Sequence, residues 1–194
     1  MEITSQMIKE LREKTGISVM QCKKSLEEAE GDMDKALIIL KKKRSEAADK
    51  KADREIGAGA VGSYLHNTNE VASLVLLSCE TDFVSKNEEF LALANDIAMH
   101  VSAMNPQYIA KEELDDAIIE KAKEVFAEEV NGKPEEMREK IMEGKLSSYF
   151  KDQILLEQPF VKNPDTTIGE MVTGAVQKFG EKVVVSQITR VSVK

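Results

Sequence analysis

The sequence predicts an α+β fold, in which a small N-terminal helical bundle precedes a larger core that combines an antiparallel sheet with helices. Residues 4–43 show only the helical spacing of apolar residues. Residues 57–80 hold two β-favouring runs, and residues 182–193 hold a third. Helical spacing fills the region between the second and third runs. Strands at both ends of such a region are typical of a sheet packed with helices.

The chain of 194 residues is long enough for one domain or two small ones. Its longest apolar run, Val71 to Leu77, is interrupted by Ser73 and is too short to span a bilayer. The N-terminus lacks the basic and apolar segments of a secretory signal. With Cys22 and Cys79 far apart, the sequence contains no disulfide framework. We therefore expect a cytoplasmic protein that is not attached to a membrane.

Charge is distributed unevenly along the chain. Residues 1–54 carry 13 basic and 11 acidic side chains, a net charge of +2, whereas residues 55–194 carry 14 and 24, a net charge of −10. An acidic protein is a poor candidate for binding nucleic acid, which requires a basic face. The one basic stretch, residues 41–54, is diluted by Glu46, Asp49 and Asp53, and Glu55 follows it. We interpret it as a solvated linker or helix tail rather than an RNA contact.

The N-terminal region reads as three short helices with recognisable ends. Gly16 and Gly31 suit helix C-termini, Ser18 with Gln21 three residues later has the spacing of a capping box, and Asp32 can cap the third helix. The apolar residues that recur on one face of each helix are Ile3, Met7, Ile8 and Leu11, then Cys22, Leu26 and Ala29, then Met33, Ala36, Leu37 and Leu40. A bundle this small is only marginally stable on its own. We therefore expect residues 1–54 to form a module that is tethered to a larger domain.

Residues 55–194 are predicted to form the core domain. Residues 57–67 and 70–80 read as a β-hairpin, whose second strand is apolar on both faces and should be an interior strand. A helix follows from Thr81 to Pro106, and two more, about 112–130 and 135–158, should form an antiparallel helical hairpin around residues 131–134. A last helix over 169–179 leads into a strand that joins the sheet.

A search for catalytic groups finds no convincing set. The glycine-rich run 57–62 does not lie between a strand and a helix, so we interpret it as strand rather than a dinucleotide loop. Cys79 could be a nucleophile with His66 or His100 as its base, but a cysteine in an apolar strand is ordinarily a core residue. His100, on an apolar helix face, reads as a core histidine. We expect no catalytic residue, no metal and no cofactor, and hence no enzyme.

The tetrapeptide Thr81-Asp82-Phe83-Val84 falls where the apolar strand ends and the next helix begins. Thr81 can cap that helix, with Asp82 and Phe83 in its first turn. Two interpretations remain open. An aromatic ring beside a carboxylate on a rigid support could enter a crevice of a partner. Alternatively, Phe83 packs into its own core, and spacing alone favours this second interpretation.

Several segments, taken together, resemble the bacterial elongation factor Ts family. Residues 11–16, 20–26 and 30–36 look like that family's N-terminal module, a three-helix domain similar to ubiquitin-associated domains. Residues 78–84 look like the family's core signature. Residues 158–161, with the preceding helical hairpin, resemble its later core segment. The matches occur in the family's order and run through almost the whole chain.

The resemblance implies a guanine-nucleotide exchange factor for the translational GTPase elongation factor Tu, from which it releases GDP so that GTP can enter. In that family the signature segment contacts the GTPase, and its Asp-Phe pair intrudes between helices near the magnesium and the phosphate loop. This implies partner-binding roles here for Thr81, Asp82, Phe83 and Val84.

The resemblance also implies contacts outside the signature. The N-terminal module would touch the nucleotide domain through Arg12, Val19 and Met20, and His66 matches a core position that faces the partner. Longer members carry two related core subdomains, whereas residues 55–194 show no internal repeat. We therefore expect a symmetric homodimer that closes through an exposed apolar sheet or helix surface.

A different class of function stays open. The three-helix module could serve a binding adaptor without exchange activity. In that case Thr15-Gly16-Ile17 would form a recognition loop for ubiquitin-like or peptide partners.

Overall fold

The computed structural model describes residues 3–131 and 134–193, and it confirms an α+β protein with an antiparallel three-stranded sheet. The helices are α1 (Ser5–Thr15), α2 (Val19–Glu28), α3 (Met33–Asp49), α4 (Asp82–Ser85), α5 (Glu88–Met104), α6 (Asp116–Asn131), α7 (Glu135–Lys151) and α8 (Ile168–Phe179). The strands are β1 (Ala58–Leu65), β2 (Val71–Cys79), β3 (Pro159–Phe160), β4 (Asn163–Thr167) and β5 (Val183–Ser192).

The first three helices pack around one small apolar core, as the sequence predicts. That core contains Leu11, Cys22, Leu26, Ala36 and Leu40, all buried. Local signals set the helix ends. α1 ends at Gly16, which adopts the left-handed conformation, and the carboxylate of Asp32 accepts hydrogen bonds from two backbone N–H groups of α3.

The capping box at α2 is only half formed. Ser18 accepts from the backbone N–H of Gln21, but the side chain of Gln21 accepts from the Ser18 hydroxyl and not from its backbone. The start of the helix is nevertheless where the Ser18 signal placed it, because one capping bond already satisfies a free N–H group.

The third helix is longer than predicted. It continues through the basic stretch to Asp49 instead of ending near residue 43, so this stretch is a helix tail. Turns at residues 50–53 then lead to β1. The extension packs against the rest of the molecule, because α3 contacts α8 and Ala48 lies against the main core.

The main sheet has the order β1-β2-β5 with antiparallel pairs, so β2 is the interior strand that its apolar sequence predicts. One face carries the buried side chains of Val75, Leu77 and Cys79 and is covered by α5 and α8. The hairpin turns where Asn69 adopts a positive φ. Side chains on the other face of the sheet are largely exposed.

Gly62 explains how close α5 lies to the sheet. A Cβ atom at this position would stand 2.1 Å from the carbonyl oxygen of Ala94 on α5. Only glycine permits this approach of helix backbone to strand backbone. Apart from Gly57, the glycine-rich run lies in β1, as interpreted from its surroundings.

The predicted helices of the core needed correction at two places. The helix from Thr81 is interrupted, because α4 ends at Ser85 and Asn87 starts α5 as its N-cap by accepting from the backbone N–H of Glu89. The second helix of the hairpin ends at Lys151 rather than 158, and a 3₁₀ turn with the small β3-β4 sheet follows, which the sequence did not predict. The tip of the predicted hairpin turn, residues 132–133, lies outside the described residues.

Candidate functional site

The signature segment forms the four-residue helix α4 directly after the buried strand β2. Its first two residues are exposed and its last two are buried. The ring of Phe83 is 82% exposed and Asp82 is exposed, whereas Val84 and Ser85 are buried. The interpretation that Phe83 packs into its own core is therefore wrong. The aromatic–carboxylate pair lies on the surface at one end of the sheet.

Val84 requires a correction. Its side chain is 4% exposed and belongs to the main core. It is therefore not available for the partner contact that the family resemblance implies. Because a buried branched side chain cannot rotate away without leaving a cavity, Val84 instead holds α4 in place under the exposed ring.

Glu181, two residues before β5, fixes the chain just before α4. Its carboxylate accepts from the backbone N–H groups of Glu80 and Thr81 at 3.1 and 3.0 Å, and from the Thr81 hydroxyl at 2.6 Å. Thr81 occupies the N-cap position of α4 but makes no side-chain capping bond, contrary to the prediction. Sequence reasoning missed Glu181, since about 100 residues separate it from the motif.

A second carboxylate completes this support. Glu80 accepts from the backbone N–H of Lys182 at 2.5 Å and from the guanidinium of Arg54 at 3.2 Å. The backbone hydrogen bond from Lys182, with smaller contributions from Arg54, holds the pKa of Glu80 below its ordinary value. These hydrogen bonds join the C-terminal end of β2 to the N-terminal end of β5, which gives α4 a rigid base.

Asp82 is an ionised, exposed carboxylate. The ammonium group of Lys86, one helical turn away, donates to it at 2.6 Å and lowers the pKa of Asp82. Both side chains are about three-quarters exposed, so this pair is weak and the carboxylate can exchange Lys86 for a partner's donor. The site therefore presents a negative charge next to an apolar ring.

Cys79 is not a candidate nucleophile in this structure. It is completely buried, and its thiol donates to the carbonyl oxygen of Thr81 at 3.2 Å. Burial, aided by the nearby carboxylate of Glu181, raises the pKa of the Cys79 thiol, so the thiol is protonated at neutral pH. The cysteine-enzyme interpretation has no support from this geometry.

His100 is a buried core histidine, as predicted. Its Nε2 lies 2.8 Å from Oε1 of Gln158, and its Nδ1 accepts from the backbone N–H of Val161 at 3.3 Å. Both ring nitrogens are therefore occupied within the fold. Burial lowers the pKa of His100, which favours the neutral ring.

The structure places the predicted residues of the N-terminal module on its surface. Val19 and Met20 begin α2, where they are 52% and 68% exposed, and Arg12 is exposed in the last turn of α1. Two adjacent exposed apolar side chains at a helix start suit a contact with another protein. This is the surface that the motif resemblance indicates.

His66 lies far from Asp82 and Phe83. It is exposed in the β1–β2 turn, where Nδ1 stands 3.0 Å from the Thr68 hydroxyl oxygen. The Asp82–Phe83 motif lies at the opposite end of β2. From the rise per residue of a β-strand, the length of β2 places the motif about 25 Å from His66. The predicted residues therefore form separated contact points and not one pocket, an arrangement that suits a macromolecular partner better than a small ligand.

The described residues contain no group of three or more His, Cys, Asp and Glu side chains that could hold a metal ion. Within the same part of the chain, no helix is long and apolar enough to cross a membrane.

Together these features define a class of protein. A small helical bundle precedes an α+β core, and the core presents an exposed aromatic ring beside a carboxylate at the rigid end of a strand. The family model described as Elongation factor TS matches residues 47–194. The chain belongs to the elongation factor Ts family and thereby to the translation elongation factors.

Relatives from several bacteria match along the full chain. Elongation factor Ts of Thermodesulfovibrio yellowstonii is 48% identical over 194 residues, which cover all of this chain and 97% of that protein. The protein of the same name from Fervidobacterium nodosum is 46% identical over 195 residues and is covered to 99%. That of Alkaliphilus oremlandii is 45% identical and is covered to 90%. These matches extend through the N-terminal bundle, which the family model does not cover.

Proposed function

We propose that this protein is a guanine-nucleotide exchange factor that releases GDP from elongation factor Tu, with the Asp82–Phe83 pair as its wedge. The observation that carries the proposal is that the ring of Phe83 is exposed while the backbone beneath it is held rigidly in place. Val84 in the core and the Glu181 clamp fix the turn from which the ring projects. Membership of the elongation factor Ts family supports the choice of partner.

An exchange factor works by differential affinity. If it binds the nucleotide-free GTPase more tightly than the GDP-bound form, it must weaken GDP binding by the same factor. Speeding GDP release about a thousandfold requires a relative destabilisation of about 4 kcal/mol. A buried aromatic anchor supplies about 2 to 4 kcal/mol of interface free energy. Phe83 is therefore sufficient in scale, provided that its insertion displaces a helix of the GTPase.

The other exposed residues take supporting roles in this proposal. Asp82 would accept hydrogen bonds from, or displace, the polar groups that organise the magnesium ion near the phosphates. Arg12, Val19 and Met20 would anchor the complex through the N-terminal module. His66, about 25 Å from the wedge, would provide a separate contact on the core.

The test is stopped-flow release of a fluorescent GDP analogue from elongation factor Tu. We expect the wild-type protein to accelerate release strongly. Phe83→Ala should lower the rate at saturating protein about a hundredfold, since removing an anchor costs about 2 to 4 kcal/mol. Its thermal stability should not change, because the ring makes little contact with its own chain.

Val125→Ala is the matched control, because it truncates a highly exposed apolar side chain on α6, away from the motif. It should exchange GDP at the wild-type rate. An unchanged rate for a folded Phe83→Ala protein would contradict the wedge. Failure of the wild-type protein to accelerate GDP release would contradict exchange activity altogether.

We also propose that the protein acts as a homodimer that closes through the uncovered face of the main sheet. The register of the strands places Val61, Leu65, Leu74 and Val191 on this face, and each is at least half exposed. Exposed apolar side chains from three neighbouring strands form a continuous patch of the kind that marks an interface. A two-fold axis would pair this flat patch with itself.

The adaptor without exchange activity has one observation in its favour, the exposed pair Val19 and Met20. A pull-down separates the two functions. An adaptor would retain peptide or ubiquitin-like partners without binding the nucleotide-free GTPase, whereas an exchange factor binds that GTPase form most tightly.

A further inference from the structure

Arg44, on α3, connects three elements with one side chain. Its Nη2 donates to the carbonyl oxygen of Thr15 at 2.5 Å, at the end of α1. Its Nε donates to Oε1 of Gln177 on α8 at 3.2 Å. The guanidinium therefore links the N-terminal bundle to the core and reaches back to the loop that precedes the exposed residues Val19 and Met20.

The electrostatics of this position favour a cation. The last carbonyl groups of a helix lack intrahelical donors and carry partial negative charge, and Thr15 is such a residue at the end of α1. Burial lowers the pKa of Arg44, and the nearby carboxylate of Glu170 opposes this change. The guanidinium stays charged at neutral pH, because the ordinary pKa of an arginine side chain lies far above neutral.

Beside this side chain the bundle and the core are not in continuous contact. A cleft of about 570 Å³ separates them, lined among others by Lys14, Gly16, Leu93 and Lys178. On α8, a Cβ atom at Gly174 would lie 3.9 Å from Nη1 of Arg44, so the guanidinium lies against bare helix backbone there. Because the apolar packing across the cleft is incomplete, directional hydrogen bonds have more influence on the orientation of the bundle.

Besides the Arg54–Glu80 ion pair described above, two polar contacts in the described part of the chain hold residues 1–54 on the core, but neither reaches the loop between α1 and α2. Lys41 pairs with Glu170 at 2.7 Å, with the lysine largely exposed. Lys182 donates to the carbonyl oxygens of Ala52 and Arg54 after the end of α3. Arg44 differs from both, because it contacts the core and the loop at once.

We propose that Arg44 is a positioning residue that fixes the partner-binding face of the N-terminal bundle relative to the Asp82–Phe83 wedge, so that both act on one GTPase molecule. This inference rests on the proposed exchange function for its kinetic consequence only. The geometric part, that Arg44 sets the orientation of the bundle, stands on the contacts of this chain itself.

The consequence follows from preorganisation. When two contact surfaces are held in the correct relative orientation, the second contact forms without a further loss of conformational freedom. Loss of Arg44 would leave the bundle tethered through α3 but variable in orientation. The wedge itself would be unchanged, so the defect should appear in affinity and not in the rate at saturation.

The first test measures orientation without any partner. Spin labels on introduced cysteines at Ser5 on α1 and Glu88 on α5 report the distance between bundle and core, while Cys22 and Cys79 are buried and resist labelling. The wild-type protein should give one narrow distance distribution. Arg44→Ala should broaden it or shift its maximum.

Lys43→Ala is the matched control. It removes the same charge from the neighbouring residue, whose ammonium group pairs at 2.5 Å with Glu28, a residue of the bundle itself. We expect this variant to keep the wild-type distance distribution. If Lys43→Ala broadens the distribution as much as Arg44→Ala does, charge alone is responsible and the positioning role is refuted.

The second test separates affinity from turnover in the GDP-release assay. Arg44→Ala should raise the protein concentration for half-maximal exchange about tenfold, in line with the loss of a hydrogen bond from a charged group. The saturating rate should stay within about twofold of wild type, the reverse of the pattern for Phe83→Ala. Arg44→Lys should recover only part of the affinity, because one ammonium group cannot reproduce the guanidinium fork.

The inference is overturned if Arg44→Ala keeps both the wild-type distance distribution and the wild-type protein concentration for half-maximal exchange. If Arg44→Ala fails to fold, Gln177→Ala takes its place, since it removes the acceptor on α8 and leaves the Thr15 contact. An unchanged distance distribution in that variant would equally overturn the inference. If the wild-type protein does not release GDP, the proposed function fails, and the distance measurement still decides whether Arg44 sets the orientation.

Discussion

Adjacent residues of α4 have opposite environments, and the geometry of one helical turn explains why. Successive side chains on a helix point about 100° apart. Val84 and Ser85 are both directed into the core, and Phe83 lies about 100° from the first and about 200° from the second, so its ring is directed away from the core. The exposure of the ring is therefore a consequence of the burial of the next two residues. A substitution at Val84 should disturb the wedge as effectively as one at Phe83.

At the same scale, His100 predicts how stability depends on pH. Its pKa is lowered in the folded protein, below the unfolded value of about 6.5, so the unfolded chain binds more protons between the two values. The stability that the neutral ring contributes is present above pH 6.5 or so and is lost as the pH falls towards the folded pKa. Urea unfolding at pH 7.5 and 5.5 should show a lower free energy of unfolding at the acidic value.

The second histidine of the chain provides the control. His66→Gln changes an exposed residue and should keep the wild-type difference between the two pH values. His100→Gln should reduce that difference, because the group that titrates on unfolding is gone. An equal pH dependence in His100→Gln and wild type would show that other groups cause it.

At the scale of elements, the packing of α5 on β1 depends on Gly62. Gly62→Ala would place a Cβ atom 2.1 Å from a backbone oxygen that belongs to a helix and cannot rotate away. We expect the substitution to lower the free energy of unfolding by at least about 2 kcal/mol. Chemical denaturation of the purified variant measures this directly.

Gly144, inside α7, is the matched control for Gly62. A Cβ atom there meets no atom within 4 Å. Gly144→Ala should therefore stabilise the protein by about 0.5 to 1 kcal/mol, since alanine is the better helix former. If both substitutions changed stability equally, the close approach of helix and strand would not be the cause at Gly62.

For the whole molecule, the proposed dimer predicts the mass in solution. Light scattering at micromolar concentration should give twice the mass of the chain. Val191→Lys places a charge in the exposed apolar face of the sheet, where self-association would have to bury it. This variant should scatter as a monomer and remain folded.

Val125→Lys on α6 adds the same charge at a comparably exposed valine outside the sheet. It should remain dimeric. A monomeric wild-type protein, or loss of the dimer in Val125→Lys alone, would refute the sheet face as the interface.

Local signals in the sequence were enough for much of the fold. Gly16 ended α1, Ser18 began α2, and the apolar run of β2 identified the interior strand, because each signal acts within a few residues of the chain. The boundary between the two domains at residues 54 and 55 stays a prediction. So do the homodimer and the likeness of the bundle to ubiquitin-associated domains.

The sequence by itself determined the fold class, the family and the position of the motif. Only the tertiary structure decided that Phe83 is exposed, that Val84 is not, and that Glu181 supports them. It also decided the length of α3 and the contacts of Arg44. The physical reason is that these features depend on which surfaces of distant segments meet, and the free energy of such contacts is not encoded in the spacing of neighbouring residues.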